Sequence, residues 1–325
     1  MAVTRADPLS VVAAGLNFQN PIVVAAGVAG YGRELQGVTN LDRLGGFVTK
    51  AVSVEPRKGN SAMRVAEIRG GMLNAVGLAN PGLEAVRTQH LPWLASHLPH
   101  ARKLVNVVGN TIEDYARVVG TLELSAGRSS SGGSRDGRGG IDAYELNLSC
   151  PNVKQGGLEF SADPATMRAV IVAARAETSR PIFVKLSPTL PNIAESARQA
   201  VDAGADGLTL INTIPGMLID VERRRPRLGF GTGGVSGSAI LPVGVLATWK
   251  ASRAVKVPVI GVGGVSSAED ALQYILAGAT LVGVGTAAFR DPRAPERIVR
   301  GLRRWCKRHR VTSISELVGT LEWSA

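Results

Sequence analysis

The sequence predicts an α/β protein, a single (β/α)8 barrel of the TIM type, on three observations. Eight short β-branched apolar runs are spread along the chain, they are continuous rather than alternating, and helical patterns lie between many of them. Continuous hydrophobicity marks strands buried on both faces, as in a parallel sheet covered by helices. A doubly wound sheet is the competing arrangement, and it does not need eight strands. The 325 residues suit one barrel domain, since such domains often run past about 250 residues.

In order, the strand runs are residues 21–26, 46–51, 103–108, 144–148, 182–186, 207–212, 257–262 and 281–285. Helical periodicity covers 113–124, 164–177, 193–203, 242–254 and 268–276. Asn192 and Ser267 stand where helix N-caps belong, and Gly204 and Gly278 where helices stop. Residues 1–19 form a lead-in. Residues 125–140 are a Ser/Gly/Arg tract, expected as a poorly ordered insertion loop before the fourth strand. Two long connections, 56–81 and 214–238, exceed what a simple turn needs, and the second is expected as a lid or binding loop.

Composition removes several classes. A hydrophobic content of 45% and a charged content of 19% are globular, so disorder and fibre are excluded. No apolar run approaches the roughly 20 residues of a membrane span, and no signal layout opens the chain, so a cytoplasmic protein is expected. The net charge of +11 is concentrated at 290–310, where nine Lys/Arg face two acids. Ile298, Leu302 and Trp305 there share one helical stripe, so the segment reads as an amphipathic surface helix and not as a nucleic-acid motif.

In this fold the active site is built where strands end, so those positions carry the functional reading. They are Lys50, Asn106, Asn147 with Cys150, Lys185, Asn212 with Thr213, Gly263 with Gly264, and Gly285 with Thr286. The glycines after the last two strands suit a phosphate cradled by backbone N–H groups. Gly27, Gly30 and Gly32 superficially suggest a dinucleotide loop but lack its acidic partner. Two lysines with no acidic cluster nearby suit an anionic ligand or the electron-rich edge of a flavin, and the asparagines match a flat amide-containing ring. No Asp/Glu/His cluster points to a catalytic metal. Cys150 is a candidate nucleophile or base in a Pro/Asn-rich loop, whereas Cys306 reads as a buried filler.

These residues carry a resemblance. Asn20-Pro21 through Gly32, Thr49-Lys50, Pro56 to Asn60, Gly71 to Leu78 with Asn80-Pro81-Gly82, Asn147 to Asn152, Val184 to Leu186, Asn212-Thr213, Gly233 to Gly237, Gly263-Gly264 and Gly285-Thr286 together resemble the dihydroorotate dehydrogenases of the cysteine-type class 1. The likeness covers nearly the whole chain.

The resemblance implies FMN held by Ala26, Lys50, Ala51, Asn106, Asn147, Lys185, Ile211, Gly237, Gly263, Gly264, Gly285 and Thr286. It implies dihydroorotate or orotate contacted by Lys50, Asn74, Ala75, Val76, Gly77, Leu78, Asn147, Asn212 and Thr213. Cys150 is then the base at C5, with hydride leaving C6 for the flavin. Ala26, Ala51 and Ser238 depart from the family's usual Ser, Thr and Pro. The segment from Asn152 to Gly157 is similar to the NAD-linked class 1B branch, whose barrel subunit pairs with an FAD and 2Fe-2S subunit in a heterotetramer; a fumarate-using homodimer is the alternative. With two cysteines in the chain, an iron–sulfur cluster belongs to a partner. A flavin pyrimidine reductase of the dihydropyrimidine dehydrogenase type, or a non-catalytic flavin scaffold, are the other readings. Neither nucleic acid nor membrane is expected as a partner.

Overall fold

A computed structural model of the chain describes residues 7–126, 140–149 and 161–323. Eight parallel strands close into a barrel in chain order: Ile22–Val24, Gly46–Val48, Arg102–Val107, Ala143–Asn147, Ile182–Leu186, Gly207–Leu210, Val259–Val262 and Leu281–Val284. The eighth strand returns to the first, with Val282 beside Ile22, and closes the ring. Each strand coincides with one of the expected apolar runs.

Register decides which side chains face inward. Asn106 is the direct neighbour of Glu145, which is the neighbour of Phe183, which is the neighbour of Gly207. One step nearer the strand ends, Asn147 neighbours Lys185, and Lys185 neighbours Thr209. Positions two apart on a strand point to the same face, so these two rows are stacked layers of one barrel interior. The lower row is filled by the buried Phe183 ring, which fits because Gly207 has no side chain: a Cβ there would stand 2.4 Å from the ring.

Helices wrap the barrel. Asn192 accepts a hydrogen bond from the Glu195 N–H, and Ser267 forms a full capping box with Asp270. Both are the N-caps expected from the sequence, and each satisfies N–H groups the first turn leaves open. Gly204 and Gly278 adopt φ of 110° and 115°, the left-handed backbone that stops the two helices. The helix Ile112–Ala126 runs two residues past its expected end, into the start of the Ser/Gly/Arg tract; the rest of that tract, 127–139, lies outside the described residues.

The lead-in is a hairpin, Val11–Ala13 against Leu16–Phe18, turned at Ala14 and Gly15, both at positive φ. Its inward residues are buried, and the Phe18 ring packs where Gly46 leaves room. On the same strand-start side, the fully buried Asp142 carboxylate pairs with Arg102 at 2.9 Å and Lys103 at 3.2 Å. The last helix, Ala294–His309, buries Ile298, Leu302 and Cys306 and leaves Arg304, Lys307 and Arg308 in solvent, the amphipathic arrangement expected of it. Trp305 is only half-buried, and Cys306 takes the place the stripe assigned to it. Among the described residues no helix is long and apolar enough to cross a membrane.

The connection 214–238 is not a simple lid loop. It contains the strands Ile214–Gly216 and Gly233–Ser236 and a small hairpin of Ile219–Asp220 with Arg225–Pro226. The other excursion supplies Val65–Ile68 and Gly71–Asn74. The two excursions pair with each other, Gly234 beside Asn74 and Ser236 beside Met72, into one antiparallel four-stranded sheet. Leu73, Ala75 and Leu228 form its own small core.

Candidate active site

Every strand-end position singled out from the sequence, Cys150 excepted, lies at the C-terminal rim of the barrel. Lys50 and Ala51 follow the second strand, Asn106 sits in the third, Asn147 ends the fourth, Lys185 lies in the fifth, and Ile211, Asn212 and Thr213 follow the sixth. Asn106, Asn147, Lys185 and Ile211 are buried, while Lys50, Asn212 and Thr213 keep partial exposure. Ala26 follows the first strand, half-buried. Cys150 lies outside the described residues, one position beyond Ser149.

Lys50 is anchored through its backbone. Its N–H donates to Gly30 O at 2.8 Å, and the carbonyl of the next residue, Ala51, accepts from the Tyr31 hydroxyl at 2.9 Å. The Thr49 hydroxyl donates to Lys50 O and accepts from the Asn106 N–H at 3.1 Å, coupling the second and third strands. The Lys50 ammonium has no hydrogen bond or ion pair among the described residues. A cation held this way is available to an anionic ligand.

A chain of side-chain hydrogen bonds links the fourth and sixth strands. Asn212 Nδ2 donates to Ser149 Oγ at 2.8 Å and to Ser149 O at 3.1 Å, and Ser149 Oγ donates to Asn147 Oδ1 at 3.0 Å. The Asn212 Oδ1 accepts from the Thr213 N–H at 2.8 Å. Donors and acceptors of the two amides are therefore fixed in direction, the condition for reading a planar amide ring. The rim sheet brings Asn74, Ala75, Val76, Gly77 and Leu78 to the same mouth; Asn74 Nδ2 donates to Gly234 O at 3.2 Å, and Gly77 and Leu78 turn at positive φ.

The other end of the rim is glycine-rich. Gly237, Gly263 and Gly264 have φ of 108°, 134° and 75°, and a Cβ at Gly264 would stand 2.7 Å from Leu241 N. The Tyr274 hydroxyl donates to Gly263 O at 2.7 Å and fixes that turn. Its ring fits because Gly244 and Gly261 leave room for it. Burial pushes the Tyr274 phenol above its usual range, so it stays a donor. Thr286 Oγ1 donates to Ser236 Oγ at 2.8 Å, tying the eighth strand's end to the rim sheet. At Gly285 an added Cβ would meet no protein atom within 4 Å.

Three features fit a flavin phosphate and ring. Asn106 Oδ1 and Thr209 Oγ1 are buried polar atoms with no hydrogen-bond partner among the described residues, Thr209 the register neighbour of Lys185 and Asn106 that of Glu145. Such atoms are costly to leave unpaired and are met by a ligand where protein does not meet them. Gly285 opens onto space that no side chain uses. The residue types fit a flavin, and Gly263, Gly264, Gly285 and Thr286 have the backbone that would suit its phosphate.

The sequence points to no acidic cluster near the two lysines, and among the described residues Lys185 has a single acid beside it: Glu145, only 1% exposed, accepts a hydrogen bond from Asn106 Nδ2 at 2.6 Å and lies 4.0 Å from Lys185 Nζ. Glu145, Thr209, Tyr31 and Tyr274 were not legible as site residues. Glu145 is the one that had a signal, a lone acid inside an apolar strand run.

The dihydroorotate dehydrogenase family profile matches residues 8–305. A Pelobacter propionicus protein named dihydroorotate dehydrogenase B (NAD(+)), catalytic subunit, is 46% identical over 309 residues, 95% of this chain and 97% of its own length. Proteins of the same name from Geobacter sp. strain M21 and Cutibacterium acnes are 44% and 46% identical, covering 97% and 90% of this chain and 98% and 92% of their own lengths. With that profile and these relatives covering nearly the whole barrel, the chain belongs to the dihydroorotate dehydrogenase family.

Proposed function

We propose that this chain is the FMN-bearing catalytic subunit of a class 1B dihydroorotate dehydrogenase, oxidising (S)-dihydroorotate to orotate in pyrimidine synthesis. The observation that carries the reading is a Lys50 ammonium without a partner among the described residues, at the same rim as the oriented Asn147 and Asn212 amides. The substrate is a cyclic imide bearing a carboxylate. A lysine neutralises the carboxylate and two fixed amides read the ring, whereas a neutral pyrimidine would leave the lysine unpaired.

When bound, FMN supplies the hydride acceptor. FMN would be held by Ala26, Lys50, Ala51, Asn106, Asn147, Lys185, Ile211, Gly237, Gly263, Gly264, Gly285 and Thr286. The protein's own tasks are to hold the substrate and remove one proton. Cys150, as thiolate, takes the proton from C5, and the C5–H electron pair forms the C5=C6 double bond as hydride departs C6. Ser149, the residue immediately before that base, is bonded to both Asn147 and Asn212, the residues that hold the ring. The rim sheet, with Asn74 to Leu78 at its edge, walls the substrate and limits water.

The relatives' name, a catalytic subunit of an NAD-linked enzyme, supports a partner subunit. That partner would carry FAD and a 2Fe-2S cluster, in a heterotetramer built on a homodimer of this chain, in the cytoplasm. Anaerobic mixing of the flavin-loaded chain with dihydroorotate tests the reading: rapid loss of the flavin's visible absorbance is expected. An unbleached flavin overturns it. Reoxidation of the reduced chain by fumarate without a partner would favour the homodimeric branch instead.

A further inference from the structure

Glu145 is the most buried acid of the rim, and the chemistry above does not use it. Its position follows from the barrel register. It neighbours Asn106 directly across strands three and four, and it lies two residues before Asn147, on the same inward face. In a row otherwise filled by Phe183, an ionised side chain is expensive unless it is hydrogen-bonded and paired. Glu145 meets both conditions with ligand-facing residues: Asn106 Nδ2 donates to Oε1 at 2.6 Å, and Lys185 Nζ stands 4.0 Å from the same oxygen.

A carboxylate only accepts. At 2.6 Å it therefore selects one of the two orientations of the Asn106 amide, because the flipped amide would set two oxygens against each other. With Nδ2 committed to Glu145, Oδ1 points away and is left buried without a partner. The amide is thus presented as a pure acceptor for an N–H donor, and the flavin ring carries such a group. The same carboxylate offsets part of the Lys185 charge, which would otherwise favour added negative charge on a reduced ring.

We propose that Glu145 is a positioning residue for the flavin, orienting the Asn106 amide as an acceptor and tempering the charge of Lys185. The proposal rests on the FMN reading above. It predicts two separable effects, one on affinity and one on potential. Removing the carboxylate releases Asn106 and weakens FMN binding. Removing only its charge leaves Lys185 uncompensated and stabilises the reduced flavin relative to the oxidised.

The test uses the whole chain and four variants, Glu145→Gln, Glu145→Leu, Asn106→Ala and the double variant of the last two, with FMN binding followed by flavin fluorescence and the potential by dye equilibration. Glu145→Gln is expected to keep FMN while raising the two-electron potential by about 30 mV, a roughly tenfold shift in relative affinity for reduced flavin. Glu145→Leu is expected to weaken FMN by roughly tenfold or more, a loss of about 1.4 kcal/mol. In the Asn106→Ala background the affinity effect of Glu145→Leu should largely vanish, since the two act as one unit. Should Glu145→Leu not fold, the potential of Glu145→Gln still decides. A Glu145→Gln potential and FMN affinity equal to those of the unaltered chain overturn the proposal and leave the FMN reading standing. An unaltered chain that binds no FMN overturns that reading first.

Discussion

The Tyr31 hydroxyl donates to the Ala51 carbonyl at 2.9 Å, joining the loop after the first barrel strand to the residue that follows Lys50. The His90 ring stacks on Tyr31 at 4.3 Å, and Tyr31 is almost wholly buried. The bond holds the backbone of a lysine whose ammonium has no partner among the described residues. Tyr31→Phe leaves a buried carbonyl short of a donor, at a cost of about 1–3 kcal/mol. Urea unfolding should show that loss, and orotate titration should show weaker binding with FMN still in place. Unchanged orotate affinity would mean that the Gly30 and Thr49 bonds hold Lys50 without help from Tyr31.

The proposed role of Cys150 is to take the proton at C5. Cys150→Ser replaces an acid of pKa near 8.5 with one that does not ionise at working pH, so flavin reduction should slow by roughly 100-fold or more at neutral pH. FMN content should stay normal. The rate should recover in part as pH rises, because a weaker acid needs a more basic solution to serve as a base. Stopped-flow reduction at neutral and alkaline pH reads this directly, and a near-normal neutral rate removes Cys150 from the role.

Two glycines of the proposed phosphate end separate folding from binding. At Gly264 a methyl group would face both φ of 75° and Leu241 N at 2.7 Å. At Gly285 it would meet nothing of the protein within 4 Å. Gly264→Ala should therefore lower the stability of the FMN-free chain by about 1 kcal/mol or more, the usual cost of forcing Cβ into that backbone. Gly285→Ala should lose much less stability, and its cost should appear as weaker FMN binding. Thermal melts with and without added FMN distinguish the two.

Stability should also fall at alkaline pH in a way traceable to one phenol. Tyr144 is buried, donates to Glu123 Oε1 at 2.9 Å, and its pKa is driven well above the usual value by burial and by the neighbouring carboxylate. Its proton is held more firmly in the folded state than in the unfolded one. The stabilisation is thus fully present below about pH 10, the unfolded value, and is lost as pH rises beyond it. Urea midpoints from pH 8 to 11 should decline more gently above pH 10 in Tyr144→Phe than in the unaltered chain. An identical slope would mean that Tyr144 does not carry the alkaline loss.

The barrel was legible because its strands are buried on both sides, so Ile182–Leu186 and its counterparts show as unbroken apolar runs between capped helices. The rim positions followed, since a polar residue at the end of such a run has few structural reasons to be there. The rim sheet was not legible. Gly71–Asn74 and Gly233–Ser236 are short and glycine-rich, without alternation, and their pairing depends on a barrel that brings distant segments together. Glu145 escaped for a different reason: inside an apolar run only the register shows that it faces Asn106 and not a helix.

The rim sheet also sets the order in which the protein becomes competent. Asn74 and Gly234 are 160 residues apart, and nothing but the intervening barrel holds their strands in reach. Contacts of such separation form only after the entropy of closing the chain has been met by other elements. A nascent or truncated chain ending before Gly233 would carry Lys50, Asn106, Asn147 and Cys150 yet have no wall over them. The rim sheet is therefore a late product of folding, a clasp that can fasten only after the first six barrel strands have been made.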